Sequence, residues 1–367
     1  MVFRKSCDDP PDRAPGNRRY VSPRGLKPAA RTVTGLEKLH TRREFLAQAG
    51  VVAAGTLWPS SFGLANLDGE GVVSGARVVI ARDETLTRGK LDEHRVLLNR
   101  LTNAAIQRLT GEDDAAAAWR RLFTRKSRVG IKVNTLGLST QPPVVDAIVA
   151  GLELAGVPAE NIIIWDRFDV ELAHAGFKLN KSSRGVQCRG TDAEAVGSGY
   201  QSDIESSGRI GSCFSRIVAE EVDTLISVPV LKDHSLGGVS MGMKNFYGAI
   251  HNPNKYHGDN CDPYIADVVS HRFIAPKWRL TVCDAIHAQY HAGPGYHPGF
   301  AWPFGGLIVG TDFVAVDAVA ADLIDAKRKE EGLPSLAADN RPAKHIMTAA
   351  ARGLGITDLS AIERVGV

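Results

Sequence analysis

Six short apolar runs recur along the chain with longer stretches of helical spacing between them. The runs are ARVVIA (76–81), RVGIKVN (128–134), NIIIWD (161–166), DTLISVPVL (223–231), RLTVCDAI (279–286) and GLIVGTD (306–312). All are rich in Val and Ile and lack a clean alternation of polar and apolar positions, which suits strands buried on both faces. Helical spacing covers 91–109, 142–155, 239–250, 263–274 and 313–327. In the second of these, Val145, Ile148, Val149 and Leu152 fall on one helical face, with proline at the start and Gly156 at the stop. The alternation predicts an α/β fold: a mostly parallel sheet with helices on both faces, a three-layer sandwich.

Two segments depart from that rhythm. Residues 178–212 carry serines, glycines and arginines with few apolar positions, and read as an insertion or a mobile surface excursion within an otherwise single domain spanning 66–367. The other is the N-terminal extension, 1–65. Arg42 and Arg43 precede Phe45 and Leu46, a modestly apolar stretch follows from Ala47 to Leu57, and Gly63, Leu64 and Ala65 form a small-x-small cleavage pattern. Basic region, apolar region and cleavage site in that order predict an export signal, and the paired arginines make it a twin-arginine one. The expected partner is therefore the twin-arginine export machinery, and the expected location is the periplasm or another extracytoplasmic space. No later segment approaches the ~18 apolar residues of a membrane span, so the mature chain is expected to lack one.

Composition narrows the functional classes. With 44% hydrophobic and 23% charged residues the chain is ordinary globular material, and its net charge of +3 is small. Much of the basic excess lies ahead of residue 44, so a nucleic-acid groove has no support and no nucleic-acid partner is expected. Cys188, Cys213, Cys261 and Cys283 remain after the signal, and none forms a C-x-x-C pair. The spacings of zinc knuckles, redox dithiols and ferredoxin clusters are absent, so an iron-sulfur cluster is not expected; buried free thiols or one disulfide are.

Candidate chemistry gathers where the apolar runs end. In an open parallel sheet, ligands bind outside the carboxyl ends of the strands, where loops converge and helix N-termini point inward. Lys132 and Asn134 end one run, Asp166 and Arg167 the next, Lys232, Asp233 and His234 the third, Asp284 and His287 the fourth, and Thr311 and Asp312 the last. Five runs ending alike predict one shared pocket. After His234, the pair Gly237 and Gly238 lets a backbone turn approach a ligand closely before a helix carrying Met241, Met243, Lys244 and Asn245. Lys232 and Lys244 suit an anion, while Asp233 and His234 suit proton transfer or a divalent metal. A further cluster, DAIHAQYHAGPGYHPGFAW, holds His287, His291 and His297; the spacing of His287 and His291 makes them the candidate metal ligands, although Gly293, Pro294 and Gly295 favour a loop there. His251, His257 and Asp259 in HNPNKYHGDN are candidates to cover the same pocket.

Taken together, GIKVNTL, ISVPVLKDHSLGGVSMGMKNFYGAI, IADV, VCDAIHAQYHAGPG and IVGTDFVAVDAVAADLI resemble the family of domain of unknown function 362, over about 128–324. The resemblance implies the α/β domain and its pocket. Some relatives carry ferredoxin-type motifs, but this chain lacks them, so no cluster is implied. Two functional readings follow: an exported enzyme acting on a small anionic ligand, metal-dependent or redox-linked, in which Lys232 and Lys244 hold the anion, His234 moves a proton and Asp284 and Asp312 orient it; or a noncatalytic binding or maturation protein serving exported metal or iron-sulfur enzymes.

Overall fold

The computed structural model describes residues 76–193 and 199–367. The described residues form thirteen strands: β1 (Ala76–Arg82), β2 (Val129–Val133), β3 (Ile162–Asp166), β4 (Gln187–Gly190), β5 (Glu205–Ser207), β6 (Ile210–Ser212), β7 (Thr224–Val228), β8 (Val230–His234), β9 (Gly238–Val239), β10 (Trp278–Gln289), β11 (Ala301–Trp302), β12 (Gly306–Gly310) and β13 (Ile362–Gly366). The helices are α1 (Arg95–Thr110), α2 (Ala115–Leu122), α3 (Pro142–Leu154), α4 (Asp169–His174), α5 (Gly242–Asn245), α6 (Tyr264–Val269), α7 (Phe313–Glu330) and α8 (Lys344–Ala351).

The main sheet runs β13-β1-β12-β10-β7-β2-β3-β4, with β8, β9 and β11 attached beside β10. Along that path β12 alone is antiparallel to its neighbours, β1 and β10. Successive side chains alternate between two apolar layers. Ile162, Ile164, Leu280, Val282, Leu307 and Val309 meet α1, α2 and α3 on one face, while Ile163, Trp165, Cys283, Ala285 and Ile308 meet α5, α6, α7 and α8 on the other. This is the expected α/β sandwich with a mostly parallel sheet.

Local chemistry explains where the elements begin and end. The run at 223–231 becomes two strands because Pro229 has no N–H for the ladder; its carbonyl instead accepts from the Asp284 amide at 2.8 Å. The expected helix at 239–250 shortens to α5 and a following 3-10 turn, Phe246–Ala249. The reason lies in α7: Asp317 accepts from the Gly242 and Met243 amides at 2.9 and 3.0 Å, which pins the start of α5. Residues 178–212 add β4 to the sheet edge and the β5–β6 hairpin.

Candidate functional site

Alternation along β2 sends Val129, Ile131 and Val133 into one apolar layer, so Lys132 projects into the other, toward α5. Its ammonium is buried, donating to Asp166 Oδ1 at 2.6 Å, to Asn245 Oδ1 at 3.1 Å and to the Val133 carbonyl at 2.6 Å. Asn245 in turn donates to the Lys132 carbonyl at 2.9 Å and to Ser227 Oγ at 3.1 Å. The second carboxylate oxygen of Asp166 accepts from the Thr135 amide at 3.0 Å and its hydroxyl at 2.9 Å. Burial lowers the Lys132 pKa and the Asp166 charge opposes that pull. Gly248 roofs the pair, since a Cβ there would stand 2.7 Å from Lys132 Cε. Every strong group in this centre has a partner.

Lys232 is equally buried but meets no carboxylate within salt-bridge distance among the described residues. Its ammonium donates to Asn134 Oδ1 at 2.8 Å, the Leu138 carbonyl at 2.8 Å and the Leu136 carbonyl. Those acceptors all belong to the loop between β2 and α3, which Thr140 and Asp284 also fasten: the Thr140 hydroxyl donates to the Val228 carbonyl at 2.7 Å, and Asp284 accepts from the Gln141 amide at 2.9 Å. Burial pulls Lys232 down to about 7 and pushes Asp284 up to about 6. The strand-end groups therefore bind a loop of the chain itself, with Lys232 acting as its clamp.

A different arrangement surrounds Lys244, the residue next to Asn245. Its stem is buried, and its ammonium lies 4.6 Å from the Tyr247 ring centroid and 3.2 Å from His257 Nε2. No carboxylate pairs with it among the described residues, and burial lowers it to about 8. The two nearby imidazoles have defined tautomers. His257 Nδ1 faces the Pro253 carbonyl at 3.1 Å, an acceptor, so Nδ1 carries the proton and Nε2 is bare toward Lys244. His234 Nδ1 accepts from the Leu236 and Gly237 amides at 3.0 and 3.1 Å, so its proton sits on Nε2, which has no partner among the described residues. The rings stack with centroids 5.8 Å apart. Burial, then the Lys244 charge, hold His234 far below the ordinary imidazole range, so it stays neutral.

Lys244 is also flanked by a turn that precedes α6 and by α8. Asp259, Asn260 and Cys261 all adopt positive φ, from 51° to 60°, a left-handed run that costs non-glycine residues roughly 1–3 kcal/mol each. Asn260 ties this turn to the Leu236 and Asn340 carbonyls at 3.1 and 3.2 Å. Cys261 lies against Gly237, where a Cβ would stand 3.4 Å from the thiol and 3.6 Å from the Lys244 stem. Helix α8 packs on the same turn and contributes His345, fully buried, with neither ring nitrogen partnered among the described residues. Burial and the Lys244 charge lower His345 to about 3.

The remaining sequence candidates are dispersed. Asp233 is engaged by Arg341 at 2.5 Å and by the Gly293 amide at 2.8 Å, a buried ion pair rather than a free acid or base. His291 Nδ1 faces the Arg328 and Arg341 guanidinium groups at 3.1 and 3.0 Å, surroundings that repel a metal cation, and His287 stands exposed on β10. The expectation that Asp312 shares the pocket is corrected by topology: β12 is antiparallel to β10, so its carboxyl end lies at the opposite edge of the sheet. There Asp312 caps α7 at the Ala315 amide and accepts from the Ile356 amide, both at 2.9 Å. No group of three or more His, Cys, Asp or Glu among the described residues is arranged to hold a metal, and the four cysteines Cys188, Cys213, Cys261 and Cys283 are free thiols. A surface groove of about 500 Å³, lined by Arg77, Arg108, Glu112 and Glu363, lies elsewhere, beside β13 and the end of α1. Arg42, Arg43 and the rest of the export signal lie outside the described residues. No helix among the described residues is long and apolar enough to cross a membrane.

Sequence reasoning missed Asp317, which is concealed in the apolar run of α7, and it missed Arg341 and His345. A lone carboxylate among valines and alanines was the available signal for the first; the other two carried none.

Fold and site together define an α/β protein with buried lysines and histidines gathered at the carboxyl ends of parallel strands. Residues 128–322, from the start of β2 into α7, match the family described as domain of unknown function (DUF362), and the chain belongs to that family. No curated protein matches the chain.

Proposed function

We propose that the chain is an exported enzyme that binds a small anionic molecule at the Lys244 pocket. The observation that carries this reading is Lys244 itself: a buried ammonium with one nitrogen acceptor, an aromatic face and no carboxylate partner among the described residues. An isolated buried cation is costly unless an opposite charge joins it, and a bound anion would supply one. His234 adds an Nε2–H without a partner among the described residues, and perturbed groups gathered in one place are what acid–base chemistry requires. Lys232 and Asp284 serve the pocket by fixing the loop after β2, and the Lys132–Asp166–Asn245 centre holds α5 in position. The donor set suits oxyanions better than a divalent metal, because binding a metal through His234 Nε2 would require moving its proton onto the nitrogen that already accepts two amides.

Thermal-shift measurement with inorganic phosphate, sulfate and short carboxylates tests the reading. Stabilisation by at least one of these in the wild type, lost in Lys244→Met and kept in Asp312→Ala, is expected. An unchanged response in Lys244→Met would move the site elsewhere. Export is tested separately by replacing Arg42 and Arg43 with lysine, which should leave the precursor in the cytoplasm.

A further inference from the structure

Lys244 has the surroundings of a reactive amine as well as those of an anion partner. Its nearest acceptor, His257 Nε2 at 3.2 Å, is a bare imidazole nitrogen whose tautomer is fixed by the Pro253 carbonyl. That nitrogen can take a proton from the ammonium. His234 Nε2–H, one stacked ring away, can donate a hydrogen bond but has no second proton to lose. His345, unpartnered among the described residues and fully buried beyond the Cys261 turn, offers a further N–H.

From this arrangement we infer that Lys244 is a nucleophile that forms an imine with the carbonyl carbon of a small anionic aldehyde or ketone. The inference rests on the Lys244 pocket proposed above as the ligand site. The ammonium passes one proton to His257 Nε2, and the free amine attacks the carbonyl carbon. A C–N bond forms while the C=O π pair moves to oxygen, where His234 Nε2–H stabilises the developing charge. That oxygen takes one proton from the attacking nitrogen and one from His257, then leaves as water. In sum R–NH3+ and O=CR2 become R–NH+=CR2 and H2O, and His257 ends as it began. The cationic iminium and the His345 N–H would then hold the anionic group of the substrate.

Reductive trapping on the full-length protein tests this, with glyoxylate as carbonyl compound and cyanoborohydride as reductant near neutral pH. A lysine lowered to about 8 has on the order of a hundredfold more free amine there than an exposed one. The expected result is a carboxymethyl adduct that maps to Lys244 and accumulates more than about tenfold faster than on the exposed Lys126 and Lys329. His257→Phe should slow that adduct with little effect on the exposed lysines. Should Lys244→Met fail to fold, suppression of wild-type labelling by pyruvate serves as the specificity control. Lys244 unlabelled, or labelled no faster than Lys126, overturns the imine. In that case, stabilisation by phosphate or carboxylates that still depends on Lys244 keeps the binding reading, and its absence removes both.

Discussion

Lys132 and Lys244 are both buried lysines at the same end of the sheet, joined through the consecutive residues Lys244 and Asn245, yet their surroundings are opposite. Around Lys132 every donor finds an oxygen and the charge meets Asp166 at 2.6 Å. Around Lys244 the partners are imidazole nitrogen and an aromatic ring, with a strained turn and His345, unpartnered among the described residues, flanking it. The first pattern is how a protein stabilises itself; the second lowers stability unless something else binds. Polar residues at strand ends are thus of two kinds, and only the second kind points to a ligand.

Substitution should separate the two with effects of opposite sign. Lys132→Met leaves the Asp166 carboxylate buried without its cation and should destabilise the fold by about 3–5 kcal/mol, read by denaturant unfolding. Lys244→Met should instead stabilise the protein near neutral pH. Its pKa falls from 10.5 unfolded to about 8 folded, which corresponds to roughly 3 kcal/mol against the charged form. The sign follows from proton counts: between about 8 and 10.5 the unfolded chain binds the proton that the folded chain has released. Wild-type stability from this group is therefore fully present above the upper value and lost as pH falls through the lower one. The advantage of Lys244→Met should shrink as pH rises through that window, and a variant less stable than wild type at both ends would erase the contrast.

Two smaller effects sharpen it. Gly248→Ala places a methyl group 2.7 Å from Lys132 Cε, beneath a tight turn, and should cost about 1–3 kcal/mol by disturbing the satisfied centre. Asp312→Ala removes a helix cap at the far edge of the sheet and should cost about 1 kcal/mol while leaving any ligand-induced stabilisation unchanged. Loss of the ligand response in Asp312→Ala would mean that the two ends of the sheet are coupled.

The sequence carried the fold well where burial is simple. Runs of Val and Ile covered on both faces announced β1, β2, β3, β10 and β12, and Pro142 and Gly156 framed α3. It carried less where tertiary contacts decide. The reversed direction of β12 depends on pairing, which apolar runs do not encode, so Asp312 read like its counterparts although it lies at the other end. Lys132, Asn134, Lys232 and Asp284 were legible as strand-end groups and Asn245 as a helix residue beside them, but their internal partners are set by packing: the 134–141 loop for Lys232 and Asp284, Asp166 for Lys132 and the Lys132 carbonyl for Asn245. His345 was silent because its significance is the lack of a partner, which only packing creates.

The most direct test is the titration of Lys244 itself, followed by carbon-detected NMR of lysine-labelled protein and assigned by loss of the signal in Lys244→Met. A midpoint near 8 is expected in free protein, moving upward when saturating phosphate or a short carboxylate is added. A midpoint at the ordinary lysine value of about 10.4, indifferent to those anions, would contradict the claim that this is the unsatisfied, ligand-binding centre.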